Sequence, residues 1–199
     1  MSTKSNDQEE LNNQKDHPDL LARAAKIKVL LMDVDGVLTD GKLFYFPDSE
    51  NKMVEFKGFN SHDGLGLFLC NFAGIITGVI SGRTSPATIE RARILKMRYV
   101  YQGNLEKVAA WEEILKDAQV EAFHVVYIGD DLPDMPLMHR AGLAIAVANA
   151  RPEVKAIAHY VTEHSGGDGG VRDATELILK ASGNWENAAG RYQLAGSST

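Results

Sequence analysis

The stretch VLLMDVDGVLTDGKLF, residues 29–44, sets Asp33 and Asp35 one residue apart at the end of an apolar run, and the run stops at Gly36. In IKVLLMD (27–33) the apolar residues occupy both alternating sets of positions, as in a parallel strand covered by helices on its two faces. Two acids at the exit of such a strand sit where the backbone leaves the core, so a polar site is expected at that end of the sheet.

The pattern continues outward from this strand. KLFYF and MVEF flank the turn-rich PDSENK and predict a protruding β-hairpin. SHDGLGLFLCNFAG predicts a helix ending at Gly74, and IITGVIS a second buried strand. Ser85 as N-cap and Pro86 at the first helical position open the helix ATIERARILK. RYVYQ, FHVVYIGDD, LAIAVA and HYVT predict further strands, alternating with the helices LEKVAAWEEILKDA, PDMPLMHRAG, PEVKAIA and DATELILKA. Strands separated by helices of this length give right-handed crossovers and an α/β fold with a doubly wound, Rossmann-like parallel sheet. Ligands of such sheets bind beyond the carboxyl ends of the strands.

Residues 1–22 read as a polar arm and lead-in that runs into the short helix DLLARAAK (19–26); residues 23–182 form one α/β domain; residues 183–199 read as a flexible tail in which Trp185 and Tyr192 could dock. With 199 residues, 44% hydrophobic and 24% charged, the chain suits a single domain with a substantial core. Its net charge of −6 argues against nucleic-acid and acidic-membrane partners, and no stretch approaches the length of a membrane span. The single cysteine, Cys70, lies in apolar surroundings and reads as a packed thiol. The expected setting is the cytoplasm.

The polar residues at the predicted strand exits carry the functional signal. The first strand ends in Asp33 and Asp35, the second in Ser81, Gly82 and Arg83, and YIGDDLPD supplies Asp130, Asp131 and Asp134, while Lys107 opens the helix after YVYQGN. Taken singly, a DxD is ordinarily a turn or cap, and a strand-end serine or helix-start lysine is ordinarily solvated. Together they bring several acids, a hydroxyl and an ammonium to one edge of the sheet. Such acids repel one another unless a cation lies among them, and oxygen ligands suit Mg²⁺. Asp33 can then attack phosphorus as a nucleophile, and Asp35 can protonate the leaving alcohol and later activate water. Ser81 and the backbone amides around Gly82 can hold phosphoryl oxygens, and Lys107 can neutralise charge on the nucleophile and phosphate, with Asp33, Asp35 and Asp130 as the metal set. Asp131 and Asp134 are expected to orient water and Lys107.

These segments resemble the four motifs of the haloacid dehalogenase-like phosphatases: DVDGVLTDG, ISGR, the lysine of QGNLEK, and GDDLPD. Within that superfamily the chain looks like the 3-deoxy-D-manno-octulosonate 8-phosphate phosphatases, through DGVLTDGKLF, FNSHDGLG, YQGNLEK, GDDLPDMPLM, GLAIAVANA, YVT and GGDGGVRDATELIL. The resemblance implies an HAD-like phosphatase using Mg²⁺, with Asn60, Ser61, His62, Asp63, Gly64, Gly82, Arg83, Arg91 and Lys107 facing a phosphorylated sugar acid. Where this family usually has two arginines, the chain has His62 and Phe68. Many relatives cover the site with an inserted cap domain, and neither gap between motifs is long enough for one here. The apolar hairpin could instead assemble with copies of itself, which makes a homotetramer the expected form. Rival readings are a phosphatase for another small ester such as a nonulosonate 9-phosphate, a non-enzymatic phosphoacceptor resembling a response-regulator receiver, and a silent scaffold subunit.

Overall fold

The strand β1 (Val29–Met32) is buried at every residue, as an apolar run on both faces requires. The computed structural model describes residues 18–103 and 105–193. The polar arm, expected over residues 1 to about 18, therefore lies outside the described residues up to residue 17. The lead-in helix α1 (Pro18–Ala24) precedes β1. Five more strands join it: β4 (Ile76–Ile80), β5 (Tyr99–Tyr101), β6 (Val125–Gly129), β7 (Leu143–Ala146) and β8 (Tyr160–Val161). All neighbours are parallel, in the order β5-β4-β1-β6-β7-β8.

The chain winds to one side of β1 through β4 and β5, and to the other through β6, β7 and β8. β1 is therefore the point where strand order reverses, and in open α/β sheets the crevice lies there, beyond the strand ends. The register fixes what enters it. Met32 pairs with Val79 on one side and Ile128 on the other, so Asp33, Ser81 and Asp130 emerge within two residues of a common level.

The connecting helices follow the sequence pattern: α2 (Ser61–Phe72), α3 (Pro86–Ile94), α4 (Val108–Ala118), the short α5 (Met135–Met138), α6 (Pro152–Ile157) and α7 (Gly170–Ala181). Asn60 caps α2 by accepting the His62 amide at 2.7 Å. Ser85 occupies the cap position of α3, but its hydroxyl makes no cap bond; its own amide donates to Gln102 Oε1 at 2.7 Å. α7 begins three residues before the expected DATELILKA, after Gly169 in a left-handed conformation that glycine adopts without strain.

One expectation changes on the described residues. Trp185–Gln193, read in the sequence as part of an unpatterned tail, forms helix α8 against α2 and α7. Its buried face is Ala188 and Ala189, too small to stand out as periodicity, and Trp185 lies under the cationic groups of Arg172 and Lys180, 5.5 and 5.0 Å from the ring. Residues 194–199 lie outside the described residues.

The hairpin β2 (Phe44–Pro47) and β3 (Met53–Phe56) forms its own two-stranded sheet. Its large apolar side chains face outward, Phe46 at 60% and Met53 at 69% exposure. No helix among the described residues is long and apolar enough to cross a membrane.

Cys70 is fully buried on α2, and burial pushes its thiol up to about 12. The thiolate is the reactive form, so the folded protein should resist iodoacetamide at neutral pH and react stoichiometrically once unfolded in guanidinium. Mass spectrometry of the alkylated protein checks this; rapid labelling of the native form would contradict the packing.

Candidate active site

The centre of the strand-end crevice is a buried ammonium. Lys107, at the start of α4, lies 2.8 Å from Asp33 Oδ1 and 2.7 Å from Asp134 Oδ1. The Tyr127 hydroxyl, inside β6, donates to the same Asp134 oxygen at 2.9 Å. The other Asp134 oxygen accepts the amides of Asp130 and Asp131 at 3.0 and 3.4 Å. Asp134 is thus saturated by protein donors and places Lys107 against Asp33. Asp131 accepts the Leu132 amide at 2.8 Å and caps the turn that carries Asp134.

Asp33 and Asp130 are in a different electrostatic state. Burial, then the neighbouring Asp134 charge, raises Asp33 to about 6 against the pull of Lys107. Burial, then Asp134 and Asp33, raises Asp130 to about 8, and its Oδ1 is buried with no hydrogen-bond partner. Oxygens of Asp33, Asp130 and Asp134 lie within 4.8 Å of one another. A carboxylate pair disfavoured by burial and mutual repulsion, with an orphaned oxygen, is what a hard divalent cation relieves, so these residues fit Mg²⁺.

Gly36 makes the close approach feasible. It has φ +95°, and a Cβ there would lie 2.6 Å from Asp130 Cγ. Its carbonyl accepts Asn149 Nδ2 at 3.1 Å, while Asn149 Oδ1 accepts the Gly166 amide at 2.6 Å. Asn149 therefore ties the loop bearing Asp35 to the loop after β8.

Asp35 faces two cations. Its Oδ1 pairs with Lys57 Nζ, and its Oδ2 lies 3.5 Å from Arg83 Nε. Glu55 on β3 joins both: Oε1 is 3.2 Å from Lys57, and Oε2 accepts Arg83 Nη2 at 2.5 Å. Arg83 also donates to the Tyr45 hydroxyl at 3.0 Å. Lys57, Glu55 and Tyr127 were absent from the residues singled out in the sequence. The available signal for the first two was strand alternation, which puts Glu55 and Lys57 on the face opposite Phe56.

Two cavities receive the remaining candidates. One of 160 Å³ is lined by Asp33, Asp35, Ser81, Gly82, Arg83, Lys107 and Asp130 among others. The Ser81 hydroxyl accepts the Arg83 amide at 3.3 Å, shaping the turn between them. A second, of 460 Å³, is bordered by Asn60, Ser61 and His62 at the start of α2 and by Phe44, Phe56 and Phe59. Three expected substrate contacts line neither cavity. Asp63 is fully buried and accepts the Arg172 amide at 2.8 Å, capping α7. Arg91 fills the space above Gly64, donates to the Asn60 carbonyl at 3.0 Å and covers the Phe59 ring. Asp63, Gly64 and Arg91 thus support the FNSH segment from behind.

Known proteins share this sequence and fold. The profile of the haloacid dehalogenase-like hydrolases matches residues 90–174. The chain is 41% identical over 172 residues to 3-deoxy-D-manno-octulosonate 8-phosphate phosphatase KdsC of Yersinia pestis, covering 86% of this chain and 90% of that protein. The crystal structure of the corresponding Moraxella catarrhalis phosphatase, in complex with magnesium ion, phosphate ion and KDO, is 39% identical and superposes with a TM-score of 0.83 over 89% of this chain and 100% of that one. A cobalt-bound phosphatase of the same kind from Haemophilus influenzae is 36% identical, with a TM-score of 0.78 over 86% of this chain and 99% of that one. Identity of this level along most of the chain, together with a closely superposing fold, places the chain among the haloacid dehalogenase-like hydrolases, in the family of the 3-deoxy-D-manno-octulosonate 8-phosphate phosphatases.

Proposed function

We propose that the chain is a Mg²⁺-dependent phosphatase that hydrolyses 3-deoxy-D-manno-octulosonate 8-phosphate through an aspartyl-phosphate on Asp33. The observation that carries this reading is the pair Asp33 and Asp35 at the exit of β1, with Lys107 held 2.8 Å from Asp33 by Asp134 and an unsatisfied Asp130 oxygen beside them. Asp33, Asp130 and the main chain of Asp35 would hold the cation. Bound there, it neutralises charge on the nucleophile and the phosphoryl oxygens.

The residues then act in two steps. In the first, an Asp33 oxygen bonds to phosphorus as the bond to the sugar oxygen breaks, and Asp35 gives its proton to that oxygen. In the second, water attacks phosphorus, Asp35 takes its proton, and the bond to Asp33 breaks to restore the carboxylate. Ser81 and the Gly82 amide bind phosphoryl oxygens, and Lys107 stabilises their charge. The wider cavity, with Asn60, Ser61 and His62, takes the sugar acid, and Arg83 of the smaller cavity, paired with Glu55, presents its guanidinium to the carboxylate. The placement of both paired acids at the exit of β1 disfavours the receiver reading, whose phosphorylated aspartate lies on a later strand.

The test is phosphate release from a panel of phosphorylated sugars and sugar acids, including a nonulosonate 9-phosphate. The 8-phosphate should have the highest kcat/KM, EDTA should abolish turnover with recovery on adding Mg²⁺, and Asp33→Asn should lose on the order of 10³-fold or more in kcat. Wild-type turnover by Asp33→Asn would overturn the assignment.

The proposed assembly is a homotetramer in the cytoplasm. It is supported by the outward apolar side chains of the hairpin, since an isolated two-stranded sheet is marginal in water and a contiguous exposed apolar surface marks an interface. Sedimentation should give a tetramer, and changing both Phe44 and Phe46 to Asp should give smaller species. A fully active wild-type monomer would contradict the assembly.

A further inference from the structure

Lys57 stands just beyond the end of β3, and its side chain is only 1% exposed. It lines neither of the two cavities that meet the phosphoryl and sugar candidates, so it has no surface to offer a ligand. Its ammonium lies between Asp35 Oδ1 and Glu55 Oε1. Glu55 holds Arg83 through its second oxygen, and Arg83 faces the second oxygen of Asp35. Both oxygens of Asp35 are thus met by cations, and both cations are anchored by one carboxylate of the hairpin. Any reorientation of Asp35 must break this ring.

We propose that Lys57, anchored by Glu55, is a positioning residue that fixes the Asp35 carboxyl for proton transfer, which makes the β2–β3 hairpin part of the catalytic apparatus. The inference rests on the phosphatase reading above. In that reaction the proton leaves Asp35 for the sugar oxygen as its bond to phosphorus breaks, and a proton returns to Asp35 from the water that attacks the phosphoryl group on Asp33. A misplaced Asp35 slows both transfers. An ester whose leaving group needs no proton, such as p-nitrophenyl phosphate, still phosphorylates Asp33, and the deficit then falls on hydrolysis alone.

Lys57→Met should therefore lower kcat for the sugar-acid phosphate on the order of 10²-fold, the size of a general acid–base contribution. KM should stay within about threefold, as for a group acting at the chemical step. With p-nitrophenyl phosphate the variant should release a burst of p-nitrophenol stoichiometric with enzyme, followed by slow turnover. In an Asp35→Asn background, adding Lys57→Met should cost no further kcat, because a residue acting only through Asp35 has nothing left to position. Glu55→Gln keeps the Lys57–Asp35 contact but loses its anchor; it should show the same burst with a smaller loss, and it decides the matter if Lys57→Met fails to fold. Wild-type turnover without a burst in Lys57→Met or Glu55→Gln, or a further tenfold loss on adding Lys57→Met to Asp35→Asn, would overturn the positioning role. If instead the wild type releases neither phosphate nor p-nitrophenol, the phosphatase reading itself fails.

Discussion

The buried ammonium of Lys107 organises this protein. Lys107 is held by Asp134 and contacts Asp33, with the Tyr127 hydroxyl completing the cluster. Desolvating these charges is costly, and removing one partner of such a group typically costs 3–5 kcal/mol because the remaining charge stays buried. The cluster joins the exits of β1 and β6 to the start of α4, so the strand ends cannot drift apart without exposing an uncompensated charge. The rest of the site is arranged around it. Gly36 lets the Asp130 carboxylate approach the β1 loop, and Asn149 pins that loop to Gly166.

Around this centre the fold separates two tasks. The smaller cavity, at the sheet's switch point, is lined by acids, a hydroxyl and cations suited to a phosphoryl group and a metal ion. The larger one is bordered by aromatic residues of the hairpin and by the polar start of α2. The charged ring of Asp35, Lys57, Glu55 and Arg83 connects the two linings, because it links the acid after β1 to a hairpin strand whose neighbours border the larger cavity. The acids and the hydroxyl stand at the strand exits of the sheet, whereas the hairpin both borders the larger cavity with Phe44 and Phe56 and reaches Asp35 and Arg83 through Lys57 and Glu55.

Much of this was legible in the sequence. The continuous apolar run at 27–33 dictates a strand buried on both faces, and the strand-exit rule then brings Asp33, Ser81, Lys107 and Asp130 to one place without knowledge of strand order. What the sequence hid has physical causes. The partner of Lys57 is 22 positions away, and the orientation of a hairpin on a sheet leaves no periodicity. Asp63 sits among residues that border the larger cavity, but helical geometry turns it inward, where it caps α7 instead. The helix Trp185–Gln193 escapes notice because its buried face is two alanines, and its aromatic anchor is held by cations of α7.

The central claim, that Asp33 becomes phosphorylated and Asp35 serves the proton transfers, is tested most directly by intercepting the intermediate. Asp35→Asn would be mixed with Mg²⁺ and p-nitrophenyl phosphate, quenched in acid, digested and analysed by mass spectrometry. The account predicts one phosphoryl group on the peptide containing Asp33, absent when Asp33 is also changed to Asn. Turnover with no phosphopeptide, or a phosphoryl group on another residue that persists in the double variant, would contradict it.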